Sequence, residues 1–186
     1  MMLDKESMEK LTEDVVVSAI VAVGMHNQIG LYGGLPWKNI RELTAITLKD
    51  LANFRKMTKD GVVVVGRNTW PSVSRLDKTY GRDFLIDGSD TRIYNKDSKI
   101  TVEVTWDFWV PKYIAKIRHE RGIGDKQIWI AGGAKTYLKW LPHIHDLHVF
   151  EIPYYGPADT YLPEEMSMPN LTKKHPNINV FVTSYY

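Results

Sequence analysis

The stretch GVVVVG, residues 61–66, decides the fold class of this chain. Four consecutive valines leave no polar face, and such a run is typical of a strand buried on both faces of a sheet. Working outward, similar apolar runs predict strands within 15–23, 84–87, 100–104, 127–133, 146–153 and 180–186. Helical periodicity predicts helices at 47–57, 69–73, 108–121 and 134–141. Because strands and helices alternate, we expect an α/β domain with a largely parallel sheet.

The C-terminal part of the chain differs from this pattern. No helix is predicted between the strands at 146–153 and 180–186, and the proline-containing segments 153–163 and 163–170 are typical of surface loops. Strands that follow one another without a crossover helix usually pair antiparallel, so we expect an antiparallel C-terminal strand. The composition does not change along the chain. We therefore expect one domain over 15–186, preceded by an N-terminal extension over 1–14 that is either a disordered tail or a docking helix.

Composition limits the possible functions. The 186 residues include 24 basic and 22 acidic side chains without a long block of one sign, which argues against nucleic acid as the main partner. Cysteine is absent, so disulfides and thiolate chemistry are excluded. The longest apolar run, 15–25, is too short to span a bilayer, and the mixed-charge segment before it is unlike a signal peptide. We expect a cytoplasmic monomer without a membrane partner.

The segment LKDLANFRKMT, residues 48–58, places one acid among apolar neighbours at helical spacing. On a helix, Asp50, Phe54 and Thr58 lie on one face with Leu51 beside them, so Asp50 could line an apolar pocket and orient a nitrogen-rich ligand. The same residues have a simpler interpretation. Thr47 could be the N-cap and Asp50 the acid that bonds back to it, and the helix alone favours this capping box.

Three glycine-containing segments could contact a ligand. QIGLYGGLPWKN, residues 28–39, could form a mobile lid with Trp37 at its exit, or an ordinary turn. GRNTW, residues 66–70, and GGAKT, residues 132–136, each follow a predicted strand and could hold phosphate, although helix capping by Asn68 or Thr69 with a solvated Arg67 explains the first equally well. Two anion sites on one sheet suggest a 2′-phosphorylated dinucleotide.

The segment HIHDLH, residues 143–148, invites a metal interpretation that geometry disfavours. Zinc ligands must converge, whereas His145 and His148 would point to opposite faces of a strand. We therefore expect no metal. The chain also has no Gly-x-Ser-x-Gly elbow, so acyl transfer has no support.

Taken in order, the segments IVAVGMHNQIGLYGGLPW, LKDLANFRKMT, VVVVGRNTW, YGRDFLID, IWIAGGAKTYLKWLP and ADTYLP resemble the dihydrofolate reductase family from residue 15 to about residue 163. The resemblance implies a single-domain fold with an eight-stranded, mostly parallel central sheet, antiparallel C-terminal strand and about four flanking helices. It implies reduction of dihydrofolate to tetrahydrofolate with NADPH, in support of one-carbon metabolism and thymidylate synthesis.

The resemblance also assigns a substrate pocket. It makes Asp50 the ionisable residue that would hold the pterin by its amino group and N3 and assist protonation at N5. Trp37 would anchor water near the pterin, and Leu35 would belong to the mobile loop, 29–35. Arg82 would bind the glutamate-tail carboxylate, with a solvated turn arginine as the alternative. The other implied substrate contacts are Ile20, Val21, Ala22, Leu51, Phe54, Val73, Ala131, Tyr137 and Phe150.

The resemblance assigns the cofactor site to the lid and to the two phosphate turns. Arg67 and Ser89 would lie near the 2′-phosphate, and the segment 132–136 would cradle the pyrophosphate. The implied NADPH contacts are Ala22, Ile29, Gly30, Gly33, Gly34, Leu35, Gly66, Arg67, Asn68, Thr69, Ser89, Ala131, Gly132, Gly133, Ala134, Lys135, Thr136, Tyr137 and Thr160.

Three features depart from the family pattern. The segment between Trp37 and Asp50 is several residues longer than usual, which makes Glu42 a competitor for the pterin acid; Asp50 is preferred because Phe54 follows it by four residues. Phe150 stands where the family usually has a threonine whose hydroxyl bonds the acid. Ala131 and Ala134 are also unusual and predict a roomier pocket floor.

Two other functions are alternatives to dihydrofolate reduction. The related pyrimidine reductase of riboflavin synthesis resembles this fold but lacks the combination of the LPW loop and the acid helix. A non-catalytic or weakly active folate and NADPH binding protein would follow if Phe150 and the longer loop had removed turnover.

Overall fold

The computed structural model describes residues 4–74, 81–87, 92–94 and 107–185. For 92–94 it describes the backbone alone. Its helices and strands follow in the order α1 (Lys5–Leu11), β1 (Val16–Val23), β2 (Gln28–Gly30), α2 (Thr44–Met57), β3 (Val62–Gly66), α3 (Trp70–Val73), β4 (Asp83–Asp87), β5 (Arg92–Tyr94), α4 (Trp109–Glu120), β6 (Gln127–Ile130), α5 (Ala134–Trp140), β7 (Asp146–Glu151), β8 (Thr160–Tyr161), α6 (Met168–Lys174) and β9 (Asn179–Ser184).

The central sheet confirms the predicted α/β class. Its seven described strands have the order β5-β4-β3-β6-β1-β7-β9. All neighbours pair parallel except β4 and β5, which pair antiparallel. Strands β2 and β8 form a separate antiparallel pair. The strand predicted at 100–104 lies outside the described residues.

The C-terminal strand corrects one expectation. Strand β9 runs parallel to β7, with Asp146 opposite Asn179 and Glu151 opposite Ser184. The prediction of an antiparallel C-terminal strand is therefore wrong. The physical reason is α6, which lies where the sequence suggested a loop and gives the chain the crossover that a parallel connection needs. With α1 and α6, the described residues contain six α-helices instead of about four.

The four valines of β3 are buried on both faces of the sheet. Val62 and Val64 pack into one core cluster, with Trp140 of α5 and Ala115 of α4. Val63 and Val65 pack into the cluster on the opposite face, which Phe54 of α2 helps to cover. All four valines are at most 1% exposed, so the prediction of a strand buried on both faces is confirmed.

The N-terminal extension is a packed helix over its described part. Met8 of α1 is buried, and the Lys116 ammonium of α4 donates to the Leu11 carbonyl at 2.8 Å. Asp14 accepts from Lys126 at 2.8 Å. Of the two alternatives for residues 1–14, the docking helix fits these contacts. No helix in the described part of the chain has both the length and the apolar character needed to cross a bilayer.

Candidate active site

The site lies at the carboxyl ends of β1, β3 and β6, which are neighbours in the sheet. Crevices for ligands form at this edge in open parallel sheets. Here the turn after β3 and the turn after β6 are joined, because the Gly66 N–H donates to the Gly132 carbonyl at 2.6 Å and the Ala131 N–H donates to the Val64 carbonyl at 2.9 Å. The two predicted phosphate turns therefore lie side by side.

Helix α2 carries Asp50 and packs on one face of the sheet, where Phe54 contacts the cluster that contains Ile20 and Val65. The helix begins at Thr44, so Thr47 lies inside its first turns and its hydroxyl donates to the Leu43 carbonyl at 2.8 Å. The capping interpretation of Thr47 and Asp50 is therefore wrong. The longer segment after Trp37 is taken up by the short helix Arg41–Leu43 and the earlier start of α2. Glu42, the competing acid, is exposed there, whereas Asp50 is half-buried.

Asp50 has the electrostatics of a functional acid. Burial raises the pKa of its carboxyl from 3.8 to about 6, and a hydrogen bond donated by the Tyr185 hydroxyl acts in the opposite direction. That bond joins Tyr185 Oη and Asp50 Oδ1 at 3.3 Å. A carboxyl that titrates near neutral pH beside a crevice can hold or deliver a proton under ordinary conditions.

An apolar wall faces this acid. Ile20 of β1 and Phe150 of β7 are buried in the cluster under α2. Four more of the predicted contact residues pack against the same cluster: Ala22, Phe54, Val73 and Ala131. Val21 instead points into the core on the opposite face, so only its main chain can reach the pocket. Leu51 is half-buried beside Asp50 on α2.

Tyr137 of α5 is buried against β1. Its hydroxyl donates to the Ile20 carbonyl at 2.6 Å, and the ring is 3% exposed. Burial raises the pKa of Tyr137, and the charge of Asp50 raises it further. The phenol therefore stays protonated and lies within electrostatic reach of Asp50.

Arg82 is a buried residue rather than a solvated turn arginine. It is 1% exposed, and its Nε donates to the Thr58 hydroxyl at 2.7 Å. A second donor, Nη2, reaches the Arg55 carbonyl. These bonds fix the guanidinium under the C-terminal end of α2, which excludes the solvated alternative and leaves binding of a tail carboxylate as a prediction.

Trp37 lies at the exit of the lid segment. It is fully buried, and its ring packs edge-on against Tyr154 at 5.8 Å. The indole Nε1 has no hydrogen-bond partner among the atoms that the structure describes. A buried donor in this state is suited to a water or a ligand, since leaving it unpaired is unfavourable.

The lid is tied down at two points. The Ser72 hydroxyl of α3 donates to the Gly33 carbonyl at 2.8 Å. The Tyr32 N–H donates to Asp159 Oδ2 at 2.8 Å. Within the pair of β2 and β8, Gly30 lies opposite Thr160, so these two predicted cofactor residues are brought together. Of the other lid residues, Leu35 is exposed, and Ile29 and Gly34 are half-buried.

The two phosphate turns combine small residues with exposed cations. Gly132 has φ +110, a region that favours glycine, and a Cβ there would lie 3.3 Å from the Tyr137 hydroxyl. Arg67 and Lys135 are exposed on the two turns. The remaining turn residues are exposed Asn68 and half-buried Gly66, Thr69, Gly133 and Ala134.

The side chain of Thr136, a predicted cofactor residue, is engaged within the fold. The Thr136 hydroxyl donates to Asp87 Oδ2 at 3.3 Å, so its side chain faces β4, and its backbone remains for the proposed cradle. Ser89 lies outside the described residues.

The histidines of 143–148 make separate contacts. His145 Nδ1 accepts the Val17 N–H at 3.0 Å, and His148 stacks on Phe181 at 4.9 Å. In the described ranges, no cluster of three or more His, Cys, Asp or Glu side chains is placed to hold a metal ion.

Sequence reasoning missed Tyr185 and Asn53. The Asn53 amide donates to Tyr185 Oη at 2.6 Å, next to the bond between Tyr185 and Asp50. The available signal was the run VFVTSYY, but an antiparallel assignment of that strand could not bring its end to α2. The parallel pairing does so, since the Tyr185 N–H donates to the Glu151 carbonyl at 3.2 Å.

Comparison with known proteins gives a consistent result. The chain is 26% identical over 151 residues to a dihydrofolate reductase of Buchnera aphidicola subsp. Schizaphis graminum, covering 81% of each chain. It is 29% identical to the dihydrofolate reductase type A10 of Escherichia coli, covering 74% of this chain and 66% of the relative. The solved dihydrofolate reductase of Enterococcus faecalis, complexed with NADP(H) and RAB-propyl, shares its fold with a TM-score of 0.55 at 23% identity, over 80% of this chain and 77% of that one.

The family model described as dihydrofolate reductase matches residues 16–174, which is most of the chain. This match covers the lid, the acid helix and both phosphate turns, and it disfavours the pyrimidine reductase alternative. The chain therefore belongs to the dihydrofolate reductase family of NADPH-dependent oxidoreductases.

Proposed function

We propose that this crevice reduces 7,8-dihydrofolate to 5,6,7,8-tetrahydrofolate, with Asp50 as the acid that holds the pterin. The observation that carries the assignment is a half-buried carboxyl of pKa about 6 above an apolar wall. A flat, nitrogen-rich ring can donate an amino group and a ring N–H to that carboxylate while its faces contact Phe54 and Ile20. Exposed Glu42 offers no such environment.

The two joined turns support the proposed NADPH site. Gly132 and Gly133 allow the chain to pack closely at the sheet edge, since a Cβ on the first would contact Tyr137 and one on the second would lie 3.4 Å from Thr69 Oγ1. Arg67 and Lys135 supply exposed positive charge on either turn. When bound, the cofactor supplies the hydride that is transferred to C6 of the pterin.

The chain's own residues supply positioning, exclusion of water and one proton. Asp50 and the apolar wall would fix the pterin, and the mobile loop, 29–35, would cover the nicotinamide. Reduction adds a hydride at C6 and a proton at N5, and Asp50 with the indole N–H of Trp37 can order the route of that proton from solvent. Tyr137 keeps its proton and holds the main chain of β1 at Ile20.

The assignment is tested by following NADPH absorbance with dihydrofolate for the wild type, Asp50→Asn and Glu42→Gln. Because positioned acids contribute about 100-fold or more to proton transfer, we expect Asp50→Asn to lose at least about 100-fold in kcat at pH 7. Glu42→Gln is the matched control, since it removes an acid from an exposed position on the same segment, and it should retain the wild-type rate.

Full activity of Asp50→Asn at neutral pH would exclude Asp50 as the pterin acid. Saturable binding of both ligands by the wild type, measured by calorimetry, without NADPH oxidation at any pH would instead favour a non-catalytic binding protein. Such a result would point to Phe150 and the longer segment before α2 as the cause.

We further propose that the domain over 15–186 works as a cytoplasmic monomer and supplies tetrahydrofolate for one-carbon metabolism and thymidylate synthesis. Its near-neutral balance of 24 basic and 22 acidic residues supports a small-molecule partner over nucleic acid. Size-exclusion chromatography with light scattering tests the monomer, and cell fractionation tests the location.

A further inference from the structure

We propose that Tyr185 is a positioning residue for Asp50, whose hydroxyl supplies the hydrogen bond that Phe150 cannot make. The inference rests on the proposed role of Asp50 as the pterin acid. The Tyr185 hydroxyl lies 3.3 Å from Asp50 Oδ1, and its ring stacks on that of Phe150 with centroids 6.0 Å apart. The hydroxyl thus reaches the acid over the face of a ring that carries no polar group.

The Tyr185 ring and backbone have contacts that do not involve the hydroxyl. Phe150 covers one face, and the Lys49 ammonium lies 5.7 Å from the ring centroid. The backbone is fixed by the bond from the Tyr185 N–H to the Glu151 carbonyl, which continues the pairing of β9 with β7. Removal of the oxygen alone should therefore leave the ring where it is.

Asn53 sets the direction of the Tyr185 hydroxyl proton. Its amide donates to Tyr185 Oη at 2.6 Å, so the hydroxyl accepts from Asn53 and has its own proton left for Asp50. Asn53 lies three residues after Asp50 on α2, and both side chains therefore face the same strand end. Burial raises the pKa of Tyr185, so the phenol remains a donor at neutral pH.

The other titratable groups around Asp50 cannot replace this bond. The Tyr137 hydroxyl, from α5, donates its hydrogen bond to the Ile20 carbonyl. Glu151, at the end of β7, accepts from the Ser184 hydroxyl at 2.8 Å. Lys49 lies over the Tyr185 ring. Among the described side chains, Tyr185 is the one with a hydrogen bond to Asp50.

The test compares the wild type with Tyr185→Phe, which removes one oxygen. A neutral hydrogen bond to a carboxylate favours its charged form, so we expect the pKa of Asp50 in Tyr185→Phe to rise by about 0.5 to 1 unit. This is measured without turnover by the pH titration of the Asp50 carboxyl ¹³C resonance. In the assay, the midpoint of the kcat profile should move to higher pH by the same amount, and the limiting kcat should fall about three- to tenfold.

Tyr155→Phe is the matched control, because Tyr155 is 67% exposed and packs its ring against His26. It should leave the Asp50 titration and the kcat profile unchanged. Asn53→Ala provides a second variant, which frees the Tyr185 hydroxyl to rotate and should move the midpoint in the same direction by a smaller amount.

The outcomes separate this inference from the proposed function. An unshifted Asp50 titration in Tyr185→Phe, with Asp50→Asn still inactive, would overturn the role of Tyr185 and leave the active site intact. If the Asp50 titration shifts in Tyr185→Phe but neither Tyr185→Phe nor Asp50→Asn changes kcat or its pH profile, the contact is confirmed and Asp50 is rejected as the pterin acid. A loss of thermal stability without any shift would show that Tyr185 only packs.

Discussion

Replacing Asp50 with Asn should stabilise the fold at neutral and alkaline pH. The carboxyl has a pKa of about 6 in the folded chain against 3.8 ordinarily, because burial disfavours its charged form. Folding must therefore place an unfavourable charge in the crevice once the pH exceeds both values. The difference corresponds to about 3 kcal/mol, and since water reaches the open side of a half-buried group, we expect about 1 to 3 kcal/mol.

The sign follows from proton linkage. Because the carboxyl pKa is raised in the folded chain, its contribution to the free energy of unfolding is fully present below pH 4 and is lost as the pH rises through 6. Urea unfolding at pH 4, 5, 6, 7 and 8 measures this for wild type and Asp50→Asn. The difference in free energy of unfolding between the two proteins should grow from near zero at pH 4 to its maximum above pH 7. Contributions from all other titrating groups are the same in both proteins and drop out of this difference.

A constant difference across this range, or a less stable Asp50→Asn at pH 8, would refute the account of Asp50 as a desolvated acid. The same substitution should abolish most turnover, so the protein would gain stability where it loses activity. Such opposition is typical of a functional site that is kept at the expense of the fold.

Three further predictions concern contacts away from the acid. Asp83→Asn should destabilise the fold by about 3 to 5 kcal/mol in urea unfolding, because it leaves the buried Arg118 guanidinium, 2.6 Å away in the wild type, without its charge partner. Met8→Ala should lower stability by about 2 kcal/mol with unchanged kcat, since Met8 anchors α1 but lies outside the site; a change in kcat would place α1 in the mechanism. Asp159→Ala should increase hydrogen exchange of the Tyr32 amide about tenfold and raise the KM for NADPH, because it releases the lid; unchanged exchange would show that this tie is not made in solution.

Sequence patterns were sufficient where one physical effect dominates. The valines of β3 have no polar face, so burial on both sides was the one available solution, and the structure has it. The two turns themselves can be predicted in the same way, because each comes directly after a buried strand, whereas their side-by-side placement depends on the order β3-β6 in the sheet. Helical spacing predicts that Asp50 shares one face with Phe54 and Thr58, but the helix alone favours a capping box, and the pocket assignment needs the other motifs of the chain.

Patterns failed where the answer depended on distant packing. The sequence predicts the wrong start for α2 because Thr47 looks like a cap, whereas the helix follows directly on the short helix Arg41–Leu43 and begins at Thr44 without a side-chain cap. The sequence predicts a loop in place of α6, since Pro169 and the polar residues around it are typical of turns, although proline is well tolerated in a first helical turn. That error reversed the direction of β9 and concealed Tyr185.

The bond from the Gly66 N–H to the Gly132 carbonyl gives the proposed cofactor site a property that neither turn has alone. The turn proposed for the 2′-phosphate and the turn proposed for the pyrophosphate are hydrogen-bonded to each other without any ligand. Their relative arrangement is thus settled during folding, so binding need not bear the entropic loss of aligning them. Affinity for the whole cofactor can then exceed what its separate fragments suggest, and a side chain at Gly66, which would meet Thr136 at 3.0 Å, would disturb both turns together.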